Sequence, residues 1–222
     1  MHRATVALLA AGVVGGLQVM VISCALAATR NGFDIRRHAN SQLVLGDWGW
    51  VQTMNFVVFG LLLTACGMGI AGATWPQRSG MIAAAGVAVY GLGTGVVVGL
   101  NPPDPGFGFP PGARQGSVGF DGLSTSAQIH AVAGLIGFLA MTIACFAFAS
   151  YFAKAKQTRW AVLSAAVGLA VVAVCAYLAA SSTAELDSFN YVPTWVVGAA
   201  LWLYTSAVAS KLLVDVRGRT LG

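Results

Sequence analysis

Apolar residues run along this chain in six blocks, at residues 4–29, 51–74, 81–100, 129–152, 160–180 and 192–214. Each is close to the roughly 20 residues needed to cross a hydrocarbon core of about 30 Å at about 1.5 Å per residue. Backbone N–H and C=O groups in lipid must find partners within their own segment, so the blocks predict helices rather than strands. No residues are left for a separate soluble domain. The expected fold is therefore an all-α integral membrane protein, a single domain over 1–222 built as a six-transmembrane-helix bundle.

Composition supports lipid as the solvent. The chain is 57% apolar and 9% charged, with a mean hydropathy of +0.77, too little polar surface to cover a globule in water. The charges fall almost entirely to one side. Arg3, Arg78, Lys154, Lys156, Arg159, Lys211, Arg217 and Arg219, eight of the twelve basic residues, flank the termini and the two short connections, where Asp215 is the lone acid. The longer connections 30–50, 101–128 and 181–191 hold Arg30, Arg36, Arg37 and Arg114 against Asp34, Asp47, Asp104, Asp121, Glu185 and Asp187. By the positive-inside rule both termini are expected in the cytoplasm, the longer loops extracytoplasmic, and the protein multi-pass in the cytoplasmic (inner) membrane. The net charge of +5 follows from this bias, so nucleic acid is not an expected partner.

His2-Arg3, the apolar run after them and Ala25-Leu26-Ala27 resemble a secretory signal, and Val21-Ile22-Ser23-Cys24 resembles a lipoprotein box. The run is longer than the 7–15 residues of a signal's apolar core, and a retained first helix is the expectation. Cys24, Cys66, Cys145 and Cys175 lie in four different blocks without a CxxC pair, and they read as small apolar residues, with Cys24/Cys175 and Cys66/Cys145 at matching depth. In the third block Gly91, Gly95 and Gly99 share one helical stripe of the kind that lets backbones approach closely in lipid. That stripe is expected to pack inside the bundle, with a homodimer contact as the alternative, and Gly12, Gly15, Gly16, Gly134 and Gly137 are expected in the same role.

Chemistry is expected at the longer loops. The first ends in Gly46-Asp47-Trp48-Gly49-Trp50, two indoles at the depth of an aromatic belt. The second carries Asn101-Pro102-Pro103-Asp104-Pro105 and Gly106-Phe107-Gly108-Phe109-Pro110-Pro111-Gly112. Its prolines restrict the backbone, so it is expected to form a shaped lid over the bundle. It leads to His130 at the mouth of the fourth helix.

Asp34, Arg37-His38, Ser41-Gln42-Leu43, Gly49-Trp50-Val51-Gln52, Asn55-Phe56 and Gly60, followed by Pro103-Asp104-Pro105, Gly108-Phe109-Pro110-Pro111-Gly112 and His130, resemble the DUF998 family of prokaryotic multi-spanning membrane proteins. The likeness covers residues 29 to about 154, and hydropathy alone extends it further. Ala39 stands where the family pattern has a proline, and Ser117–Gln128 is a long stretch before the histidine. The family's function is unknown, so the resemblance implies fold and membrane location and no substrate.

Polar groups at or inside the membrane boundary are functional candidates because burying them unpaired is costly. The expected ligand-binding set is His38, Gln52, Asn55, Asp104 and His130. The candidate catalytic and metal-ligating groups are His130, Asp104 and Asp121, with Glu185 and Asp187 around them and Gln18, Thr64 and Thr94 as further cavity-lining candidates. Three functions stay open: binding a lipid-like or small apolar ligand in an extracytoplasmic pocket, which leads; metal-dependent hydrolysis at the outer leaflet; and a structural or accessory subunit of a membrane complex. An enzyme is not favoured. No cofactor is expected, since a haem would need an axial partner for His130 and only His38 offers itself. Membrane lipids and a small apolar ligand are the expected partners, with protein partners or a second copy left open.

Overall fold

A computed structural model describes residues 2–116, 118–181 and 190–218. Among them, six helices are long and apolar enough to cross a membrane: α1 (His2–Thr29), α2 (Gly49–Thr74), α3 (Arg78–Leu100), α4 (Thr125–Lys154), α5 (Thr158–Ser181) and α6 (Val192–Gly218). No strand is present among the described residues. Five of the helices begin a few residues before the apolar blocks do, and three run past them, because backbone hydrogen bonding continues into the polar boundary where hydropathy has already fallen. Short turns, Trp75–Gln77 and Ala155–Gln157, join α2 to α3 and α4 to α5 at the end that also carries the termini. The connections 30–48 and 101–124 lie at the other end, called the loop end below, where α5 ends and α6 begins. Glu185, Asp187 and Arg219 lie outside the described residues.

Each helix packs on its sequence neighbours and α1 also packs on α6, which makes a ring; α5 touches α6 much less than it touches α4. Lipid provides no hydrophobic drive between helices, so close backbone approach and side-chain packing must hold them together. Glycine supplies that approach. A Cβ on Gly60 of α2 would stand 2.4 Å from the Gly91 carbonyl oxygen, and one on Gly95 would stand 2.3 Å from the Gly60 Cα. The Gly91/Gly95/Gly99 stripe is thus occupied by α2 of the same chain. At this contact the backbone of α3 widens into a π-helical segment, Gly91–Val97, a local irregularity that the apolar pattern had not suggested. Gly86 meets the Ala140 carbonyl of α4 in the same manner, and on α1 Gly12 faces Cys66 while Gly16 faces Trp202 and Ser206 of α6. The Ser206 hydroxyl donates to the Val13 carbonyl at 3.0 Å across that last seam.

Half of the interior is filled. Towards the terminal end, Leu63, Cys66, Ile70, Met141, Phe148, Tyr204 and Val208 are all buried, and the gap left among them holds only about 10 Å³. The four cysteines are free thiols. Gly134 departs from its expected packing role: a Cβ there would find nothing nearer than 3.9 Å, because the loop-end half of the bundle is hollow.

Gly60→Ala and Gly95→Ala are expected to destabilise the folded protein by about 1–3 kcal/mol through overpacking. Gly134→Ala should be neutral or stabilising by up to about 1 kcal/mol. Thermal unfolding in detergent, read by circular dichroism, checks the contrast.

Candidate functional site

The hollow is a chamber of about 220 Å³. Its walls come from helical stripes at spacings of three and four residues: Tyr90, Thr94 and Val98 on α3, His130, Gly134 and Phe138 on α4, and Trp195, Gly198 and Trp202 on α6, with Tyr191 just before it. Eight residues of α4 separate His130 from Phe138, which makes the chamber about 12 Å deep at about 1.5 Å per residue. Its floor is aromatic. Phe59 meets Tyr90 edge-on with ring centroids 6.0 Å apart, Phe138 lies 6.0 Å from Tyr90 on the other side, and the Tyr90 hydroxyl faces the side chains of Thr94 and Trp202. The Thr194 hydroxyl oxygen is buried and has no hydrogen-bond partner among the described residues.

A second chamber of about 200 Å³ lies towards the loop end, walled by Gln42, Pro103, Asp104, Phe107, Arg114 and Leu123 among others. Ala39, Ser41, His130 and Tyr191 line both chambers and form the neck between them. The immediate roof of the inner chamber is the Ala39–Ser41 segment of the first loop. The proline-rich loop, expected as that roof, walls the outer chamber instead.

His38 explains why. The residue is 2% exposed and both ring nitrogens are engaged: Nδ1 accepts the Asp34 N–H at 2.8 Å, so Nε2 carries the proton and donates it to the Phe107 carbonyl at 3.0 Å. The indole N–H of Trp195 donates to the His38 carbonyl at 2.9 Å. Phe33, Phe109 and Trp195 pack around this point, with Phe33 edge-on to both Phe109 and Trp195, and the Arg30 guanidinium lies 5.4 Å from the centre of the Phe109 ring. Arg30 also donates to the carbonyls of Leu43 and Leu45. One histidine thus clamps the first loop, the second loop and the start of α6. With both nitrogens taken, His38 is not available as a ligand or an axial partner.

Gln52 and Asn55 are likewise consumed elsewhere. They are buried between α1 and α2, where the Gln52 amide donates to Ser23 at 2.9 Å and to Asn40 at 3.2 Å. The Asn55 amide donates to Gln52 at 3.0 Å, and Asn55 accepts from Gln18. Neither lines a chamber. Thr64 bonds back to Gly60 within its own helix at 2.7 Å, whereas Thr94 does reach the inner chamber.

Asp104 and His130 both face the outer chamber. The Asp104 carboxylate accepts the Ser124 N–H at 2.8 Å, next to the first turn of α4, which Ser124 caps by accepting from Ala127 at 3.2 Å. Hydrogen bonding to Ser124, helped by the charge of Arg114, holds this carboxyl below its ordinary pKa. The His130 Nδ1–H donates to the Asn101 carbonyl at 2.7 Å. Asp121 sits on an exposed turn, Phe120–Gly122, and lines neither chamber. Among the described residues no three His, Cys, Asp or Glu side chains gather as a metal site.

Sequence reasoning overlooked the aromatic lining. Its signal is present in Tyr191, Trp195, Gly198 and Trp202, at i, i+4, i+7 and i+11, which is one face of a helix.

The fold and the two chambers define a polytopic α-helical membrane protein with a hollow loop end. A family described as "Protein of unknown function (DUF998)" has a sequence model that matches residues 13–214. The chain belongs to that family. No curated protein and no solved structure matches it.

Burial depresses the His38 pKa from 6.5, with the Phe107 carbonyl and Asp34 opposing and Arg37 assisting. The folded state therefore favours neutral His38, and its contribution is complete above pH 6.5. As pH falls, the unfolded ring takes its proton first, and stability is lost progressively until the depressed folded value is passed. Trp195 emission and amide exchange at Asp34 should report loosening of the loop end as pH is lowered from 7 to 5. His38→Gln should flatten that dependence.

Proposed function

We propose that the protein binds one lipid-like or small apolar molecule at the extracytoplasmic side of the inner membrane. The apolar part lies in the aromatic chamber and the polar end lies at the His130 neck and the outer chamber. The observation that carries this reading is the pairing of the two chambers. One is deep and aromatic and the other borders Asp104, Arg114 and Gln42, a gradient that matches an amphiphile.

Size supports it. A dry cavity of about 150 Å³ already binds benzene, and the two chambers together enter the range of about 300–1,000 Å³ typical of ligand pockets. The extracytoplasmic placement rests on the distribution of Lys and Arg among the connections.

Native mass spectrometry of protein extracted gently from its own membrane is expected to show one bound mass in the lipid or small-amphiphile range. Gly134→Leu, whose side chain grows into open space, should remove that mass while leaving the melting temperature unchanged or higher. A wild-type spectrum free of any bound molecule would refute the reading.

A further inference from the structure

Among the described residues, the ring of helices is closed at the terminal end and parted at the loop end between α5 and α6. Along α5, Ser164, Gly168 and Val171 are buried, but no residue from Val172 to Ala180 is. Along α6 the pattern is the same: Leu201, Trp202, Tyr204 and Val208 are buried, and none from Val192 to Ala200 is. The two helices do meet lower down, where the Tyr204 hydroxyl donates to Ser164 at 2.8 Å. At the top, the Tyr177 hydroxyl donates to the Asn190 carbonyl at 2.9 Å and accepts the Asn190 N–H at 3.2 Å. Between this upper tie and the lower seam lies a side window.

Leu178 of α5 and Thr194 and Gly198 of α6 line the inner chamber at that window. Gly198 leaves it wide, since among the described residues a Cβ there would meet nothing nearer than the Trp202 ring, at 3.9 Å. The outward surfaces beside it are apolar and exposed, including Leu169, Val172 and Val196. In a membrane these surfaces face hydrocarbon. A chamber with such a window exchanges its contents with alkyl chains, because a chain passing sideways never crosses water, and inside it gains the dispersion contacts that an empty void forfeits.

We infer that the space between α5 and α6 is a lateral portal through which the alkyl chain of a bilayer lipid enters the aromatic chamber from the adjoining leaflet. This rests on the ligand-binding reading above and adds the source of the ligand and its route. The neck at His130 and Tyr191 then receives the polar end of the same molecule, and the chamber depth of about 12 Å limits how much of the chain is enclosed.

Tryptophan quenching by brominated lipid tests the route, because Trp195 and Trp202 both line the chamber. Trp48, Trp50 and Trp75, all exposed, and Trp160 are replaced by Phe, and folding of this parent is confirmed by circular dichroism. The protein is then placed in vesicles of phosphatidylcholine with or without bromine on the acyl chains. Emission from the two remaining indoles is expected to fall by about half in the brominated vesicles, and most of that loss should disappear in Gly134→Leu and in Gly198→Phe. Quenching that persists in both filled variants would mean that the bromine acts from outside the helices, and would overturn the portal. Quenching by aqueous acrylamide with none by brominated lipid would also overturn it, while leaving a ligand reached through the outer chamber. No quenching by either agent, together with no bound mass in the native spectrum, would remove the portal and the ligand reading together.

Discussion

Direct backbone contact between α2 and α3, at Gly60, Gly91 and Gly95, is the constraint on which the rest of this bundle depends. In lipid, a helix gains nothing by exchanging a hydrocarbon neighbour for an apolar side chain, so cohesion must come from approach closer than side chains allow. Gly86 repeats the device between α3 and α4, and Gly12 and Gly16 repeat it around α1. Those seams draw five helices together on one side. α5 has a single comparable contact, where Gly168 would meet Cys145 and Phe146 of α4, and this leaves its other flank loosely held.

The hollow follows from where these contacts stop. At the terminal end, large side chains such as Phe148, Met141 and Leu212 fill the centre of the ring, leaving only about 10 Å³. At the loop end, α4 and α6 turn Gly134 and Gly198 inward, and among the described residues a Cβ on either would meet nothing nearer than 3.9 Å. The first and second loops then cover this void without filling it. Their anchor is polar: His38 bonds to Asp34 and Phe107 at once, and Phe109 is driven into the pocket formed by Phe33 and Arg30. A buried histidine with both nitrogens satisfied gives a firm, specific closure, since leaving either of them unpaired would incur the desolvation cost of that group.

Much of the architecture was legible before any coordinates. Six apolar blocks mark six helices, because hydropathy and length respond directly to bilayer thickness. The glycine stripe of α3 could be read as a packing surface for the same reason that it is one: three positions without side chains on a single face. The polar candidates were read less well. Gln52 and Asn55 look like ligand groups in a linear chain, but each finds partners on α1, Gln52 in Ser23 and Asn55 in Gln18 and Ser23, and spacing along one helix does not disclose the neighbour that satisfies it.

What the sequence alone determined is the class, the number of helices able to span a membrane, the packing stripe of α3 and the concentration of charged residues in the connections. All of these are set by local periodicity and by the solvent. Only the tertiary structure decided which polar side chains are spent on folding and which border open space, because that depends on what stands opposite each one. His38 and His130 illustrate the division. Both are histidines near the boundary, yet the first is fully engaged by Asp34 and Phe107 while the second stands at the neck between two chambers. Gly134 and Gly137 make the same point: three residues apart on one helix, one faces a void and the other Thr94 at a distance that admits no Cβ.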